Sequence, residues 1–198
     1  MERNRPSYES ICSAMLDLLE EQPLDTISVT DLTKRAGVSR TSFYRYFETT
    51  YDVVQAIEDD YDEQFPRELQ AVQDLLELGN DTGNGTSPQE LEYAQVIVDS
   101  FRTYRILTGP NGEPSFEAHM RNRISRIFSQ ALEAKLGRGP KTEVATAFLT
   151  GARMSLLEWW GQHEKEVDPV EFSRYCSAIT VSSMRAIADT TLQSDITF

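Results

Sequence analysis

Apolar residues return every three or four positions along nearly the whole chain, a spacing that predicts helices rather than strands. Tyr8, Ile11, Cys12, Met15, Leu18 and Leu19 mark the inward stripe of a first helix, capped by Ser7 and ended by Pro23. Val29, Leu32 and Ala36 define a short second helix. Ser28 caps it, Asp31 reaches back as a variant capping box, and Gly37 stops it. Val38 plugs the turn. Ser39 then caps a third helix, Arg40 to Phe47, with Phe43 and Phe47 facing inward. Thr49 and Asp52 cap a fourth, whose buried side is Val53, Val54, Ile57, Tyr61 and Phe65. Pro66 starts a new helix or kinks this one, through Leu69, Val72, Leu75 and Leu76. Later helices start at Ser87-Pro88, Ser115, Pro140 and Asp168-Pro169. Their expected inward stripes include Leu91, Ile97, Phe101 and Tyr104, then Phe116, Met120, Ile124 and Phe128. In the last two helices the stripes run through Val144, Phe148, Gly151, Trp159 and Trp160, and through Phe172, Tyr175, Cys176 and Ile179. The prediction is an all-α chain of about nine helices. Its domains are a three-helix bundle over 1–49 and a larger helical body over 50–198.

The outer face of the third helix carries the chemistry. Arg40, Thr41, Tyr44 and Arg45 place two cations, a hydroxyl and a phenol on one exposed side, chemistry suited to phosphate oxygens and base edges in a major groove. Two short helices around a glycine turn, the second so equipped, form a helix-turn-helix. Charge sharpens the picture. From Asp31 to Phe47, four cations stand against one anion. From Glu48 to Ser100, fourteen acids stand against one base, Arg67. A duplex is drawn to the basic tip and repelled elsewhere, although the whole chain carries a net charge of −13. Arg121, Arg123 and Arg126 sit on other faces of their helix, solvated or paired with the acidic segment.

Ala36-Gly37-Val38-Ser39, followed by Phe43-Tyr44-Arg45-Tyr46-Phe47, strongly resembles the TetR family of bacterial regulators. The resemblance is tight over the first quarter of the chain and loose beyond it. It implies an all-α homodimer with an N-terminal DNA-binding domain and a C-terminal domain that dimerises and binds a small ligand. It implies that Arg40, Thr41 and Arg45 read bases, while Ser39, Tyr44, Tyr46 and Thr50 position the DNA backbone; Ser28 belongs to the same DNA-binding set. Two such helices would enter successive major grooves of a near-palindromic operator, about 34–36 Å apart. The two C-terminal helices resemble the family's dimer interface, and Ala147, Gly151 and Ser155 put small residues every four positions there. An effector pocket in the body would draw on Phe101, Tyr104, Phe116, Met120, Phe128, Phe148 and Trp159, with a mostly apolar or aromatic ligand as the default.

The sequence departs from the family at two places. Thr50 stands where a lysine is usual at the start of the fourth helix, which removes one phosphate-neutralising charge. Thr41 replaces a residue that is commonly small. The expected function is a ligand-responsive repressor; the alternative is a protein-interaction co-regulator on the same scaffold with weak or no DNA binding of its own.

Composition narrows the rest. With 39% hydrophobic and 26% charged residues, 198 residues suffice for a sizeable core. No apolar run approaches a membrane span or a signal peptide, and Cys12 and Cys176 read as buried thiols, so a cytoplasmic protein is expected. His119 and His163 lack a Cys or His at ligand spacing, and nucleophile, zinc and phosphate-loop motifs are missing. No enzyme activity, metal or cofactor is expected. Residues 1–6 form a short arm with Arg3 and Arg5, which the resemblance implies can brush the minor groove or backbone and which otherwise reads as a disordered solubilising tail; Gly79 to Pro88 reads as a surface loop.

Overall fold

The computed structural model describes residues 6–77 and 87–189; the arm carrying Arg3 and Arg5 and most of the Gly79–Pro88 loop lie outside them. The described residues form α-helices, one short 3-10 helix and no strand. These are α1 (Pro6–Glu21), the 3-10 turn Leu24–Thr26, α2 (Val29–Ala36), α3 (Arg40–Phe43), α4 (Thr50–Asp62) and α5 (Phe65–Glu77). Then come α6 (Pro88–Leu107), α7 (Phe116–Leu136), α8 (Pro140–His163) and α9 (Pro169–Asp189). No helix among the described residues is long and apolar enough to cross a membrane.

The chain forms two compact units. The first comprises residues 1–64 and 100–119, the second residues 65–99 and 120–198. The division falls elsewhere than the expected 49/50 boundary, because α4 packs on α1 and so does the segment around the α6–α7 turn. Arg102 pairs with Asp17 and Arg105 with Glu20, and Asn111 Nδ2 donates to the Leu19 carbonyl at 3.1 Å. Gly112 makes that turn possible. A Cβ there would sit 2.1 Å from the Leu107 carbonyl oxygen, a distance no side chain tolerates. The core of the first unit includes Ile11, Met15, Leu32, Phe43, Val53, Tyr61 and Phe116.

In the second unit, Leu75, Met120, Leu132, Trp160 and Phe172 are fully buried. Trp160 stacks on Phe172 at 4.4 Å between centroids, and its Nε1 donates to the Val167 carbonyl at 3.0 Å, which fixes the α8–α9 turn. Arg123 belongs to this interior, only 3% exposed. Its guanidinium pairs with Glu68 of α5 at 3.0 Å and lies over the Phe65 ring.

The expected inward stripe of α8 is corrected. Its core side is Ala145, Leu149, Met154, Leu157 and Trp160, whereas Val144, Phe148 and Trp159 face outward. The helix is apolar on two sides, so periodicity alone could not say which one meets the core. Adjacent tryptophans point about 100° apart on a helix, and only Trp160 can enter. Tyr175 and Ile179 of α9, and Leu91 of α6, are likewise exposed where burial was expected.

Candidate nucleic-acid interface

The interface is built by two caps and a turn. Ser28 Oγ accepts from the Asp31 N–H while the Asp31 carboxylate accepts from the Ser28 N–H, completing the capping box. These bonds hold the Asp31 carboxyl below its ordinary range. Gly37 adopts φ 67° and ψ 27°, the left-handed conformation in which a Cβ is penalised, and the Val38 N–H closes the turn onto Thr33 O at 3.0 Å. Ser39 Oγ then accepts from the Ser42 N–H at 3.0 Å and starts α3.

The α-helical part of α3 is shorter than predicted. It spans Arg40–Phe43, and the chain continues through tight turns in which Phe43 O accepts from the Tyr46 and Phe47 N–H groups. The turns bring Phe43 and Phe47 together at 5.8 Å and lay Phe47 on Tyr8 of α1 at 5.4 Å. The Tyr8 hydroxyl donates to Asp60 of α4 at 2.8 Å, so α3 is backed by an aromatic cluster tied to two other helices.

Arg40, Thr41, Tyr44 and Arg45 are all exposed on the opposite side, with Ser39 beside them. Three further residues of the expected DNA-binding set are placed differently. Tyr46 is half-buried, its ring edge-on to Tyr8 at 6.0 Å, so it supports the face more than it belongs to it. Thr50, at the first position of α4, is only 9% exposed. The α4 N-terminus is filled by its own cap, for the Asp52 carboxylate accepts from the Glu48 and Thr49 N–H groups at 2.9 and 2.7 Å. Ser28 is exposed, but its hydroxyl is bound to Asp31.

The cations of the tip differ in availability. Arg35 Nη2 donates to both carboxylate oxygens of Glu21 at 2.9 Å, which raises the arginine and lowers the glutamate from their usual ranges. Lys34 and Arg45 have no carboxylate at salt-bridge distance among the described residues. Arg40 Nη2 donates to Thr30 Oγ1 of α2. Sequence reading missed Thr30. It sits ten positions before Arg40, and only the fold of the turn brings them together.

The residues expected to line an effector pocket fall in both units. Phe101, Tyr104 and Phe116 are buried in the first unit, where Phe101 stacks on Tyr104 and Phe116 meets Tyr61 edge-on. Met120 and Phe128 are buried in the second unit, while Phe148 and Trp159 are 52% and 43% exposed.

Similarity to known proteins falls on the same segment. The profile of the bacterial regulatory proteins, tetR family, matches residues 11–57. An uncharacterised HTH-type transcriptional regulator of Bacillus subtilis (strain 168), YvdT, is 36% identical over 50 residues. That match covers 25% of this chain and only 26% of the relative. Two solved structures share the fold over almost the full length, each with a TM-score of 0.60 at 14% identity. The dihydroxyacetone kinase operon activator DhaS aligns with 91% of this chain and 96% of its own. The fatty acid degradation regulator FadR from Bacillus halodurans aligns with 93% and 99%. The match to the bacterial regulatory proteins of the tetR family thus falls on the helices that carry the exposed basic face, and the likeness beyond residues 11–57 is one of fold alone.

Proposed function

We propose that this protein is a ligand-responsive transcriptional repressor of the cytoplasm that binds a near-palindromic operator as a homodimer. The carrying observation is the outward face of α3: Arg40, Thr41, Tyr44 and Arg45 stand exposed on a turn locked by Ser28, Gly37 and Ser39. Arg40 and Arg45 supply base and phosphate donors, Thr41 and Tyr44 supply hydroxyls, and Thr30 holds Arg40. Dimerisation is supported by the outward apolar stripes of the last two helices: Val144, Phe148 and Trp159 on α8, and Tyr175 and Ile179 on α9. Ala147, Gly151 and Ser155 share that side of α8, and a Cβ on Gly151 would meet nothing within 4 Å. Stripes of this kind are what a four-helix interface covers. A small molecule changes occupancy by no more than its differential affinity for the DNA-competent and incompetent states.

Fluorescence anisotropy of DNA from upstream of the gene tests the reading, at two salt concentrations. Selective binding is expected, with Arg40→Ala weaker by about 1–3 kcal/mol and less discriminating at one base position. A reporter driven by the same DNA should rise when the gene is deleted. A second reading, a co-regulator that works through protein contacts, is favoured by three subtractions from the DNA face. Thr50 is buried, Asp52 fills the start of α4, and Arg35 is held by Glu21. Selective, tight binding would end that reading.

A further inference from the structure

The interior of the second unit contains polar groups that packing does not use. On α8, Thr142, Thr146 and Thr150 recur every four residues on the buried side, and Arg153 follows one turn later. Thr142 is accounted for, since its hydroxyl donates to the Gly137 carbonyl at 2.6 Å as part of the helix start. Thr146 and Thr150 are different. Their Oγ1 atoms are fully buried and have no hydrogen-bond partner among the described residues. A helical threonine usually satisfies itself by donating to the carbonyl four residues back. Thr33 does so to Val29 O at 2.8 Å, and Thr108 to Tyr104 O at 2.7 Å. Thr146 and Thr150 forgo that bond, so neither buried hydroxyl is satisfied by its own helix.

More polar chemistry lies on the same side. Arg153 Nη1 donates to the Tyr93 hydroxyl of α6 at 2.8 Å, with the guanidinium 5.4 Å from the ring centroid. Tyr93 is also hydrogen-bonded to Thr180 of α9, and burial pushes its phenol above the usual range, which keeps it neutral. A buried hydroxyl left unpaired costs free energy, and two on consecutive turns of one helix mark a place completed by something from outside.

We propose that Thr146, Thr150 and Arg153 form one wall of a binding site, inside the second unit, for a small hydroxylated carboxylate. The proposal rests on the ligand-responsive reading above and revises its default of an apolar or aromatic effector. A guanidinium presents parallel N–H donors that match a carboxylate. Each threonine hydroxyl donates once and accepts twice, which suits an alcohol or a carboxylate oxygen. A hydrocarbon would leave both hydroxyls as desolvated and unpaired as they already are.

The test is thermal unfolding of the full chain with L-malate, L-lactate or D-gluconate, and with octanoate as the apolar comparison, at constant ionic strength. At least one hydroxycarboxylate is expected to raise the Tm and octanoate to leave it unchanged. The double variant T146V/T150V keeps the shape without the hydroxyls. It should fold with an equal or higher Tm and lose about tenfold or more in affinity for the active probe. T146S/T150S, which keeps the hydroxyls, should retain the shift and serves if the valine variant does not fold. No shift from any of the three hydroxycarboxylates, an equal shift from octanoate, a shift that survives T146V/T150V, or one lost in T146S/T150S overturns the proposal. Operator binding is read separately. A probe that binds through these residues without changing operator affinity keeps the site and removes the effector reading. Release of operator by octanoate, with no shift from the hydroxycarboxylates, keeps the effector reading and removes this site.

Discussion

Replacing Gly112 with alanine should destabilise the protein more than deleting the side chain beside it. The new Cβ would lie 2.1 Å from the Leu107 carbonyl oxygen and 2.7 Å from that of Ile106. Both are backbone atoms, so relief requires the turn itself to move by about 1 Å or more to reach ordinary van der Waals contact. Such a shift costs about 1–3 kcal/mol as overpacking. It also parts Asn111 Nδ2 from the Leu19 carbonyl, now 3.1 Å away, and that bond contributes about 0.5–1.5 kcal/mol. The combined loss is about 1.5–4.5 kcal/mol for Gly112→Ala, against about 0.5–1.5 kcal/mol for Asn111→Ala. Gly109→Ala is the internal control, because its Cβ would lie 3.1 Å from the Arg105 carbonyl oxygen, a contact relieved by a few tenths of an ångström. Urea unfolding followed by circular dichroism gives the three values. If Gly112→Ala costs no more than Asn111→Ala, the turn is not held against α1 by its close backbone approach and the reasoning fails.

The tip cations should separate by salt dependence. Lys34→Ala and Arg45→Ala should each lower the slope of log K against log salt by about one unit where the residue meets a phosphate, and Arg35→Ala by less, because Glu21 already neutralises it; equal slopes for all three would contradict the pairing. Phe148→Asp should shift the protein toward monomer in analytical ultracentrifugation and weaken operator binding with it, since the charge lands on the outward stripe of α8. Glu68→Ala should cost about 3–5 kcal/mol, read by urea unfolding, because it leaves the Arg123 guanidinium buried beside Phe65 without its carboxylate. Glu58 sets a pH dependence. Desolvation raises its carboxyl, opposed by His119 and reinforced by Glu113, Asp59 and Asp62, and its Oε1 is buried without a partner among the described residues. The folded state therefore binds the proton more tightly than the unfolded one, and stability falls as pH climbs from the ordinary carboxyl range through the raised pKa. Glu58→Gln should flatten that part of the profile, and an unchanged profile would refute the assignment.

Local chemistry made the DNA-binding half legible. The caps at Ser28, Ser39 and Thr49 and the left-handed Gly37 are short-range devices whose partners lie within four residues, so the amino-acid order specifies them almost completely. The exposed cationic face followed from the same register. Periodicity could not separate pocket from core, because aromatic residues on helical stripes mark both alike. Phe101 and Phe116 are core of the first unit, and Phe148 and Trp159 are surface.

By itself the sequence determined that the described residues are helical, where most of the helices begin, and that one short helix carries an exposed basic face, since capping, periodicity and charge act over a turn or two; α1 starts at Pro6, one residue before the expected Ser7 cap. Tertiary packing alone decided which side of a two-faced helix meets the core, so that Trp160 enters and Trp159 does not. It also decided that Thr30 reaches Arg40, that Glu68 finds Arg123, and that the hydroxyls of Thr146 and Thr150 lie buried without partners among the described residues. Those outcomes depend on residues from distant segments arriving at the same place, and the spacing along one helix holds no information about its neighbours.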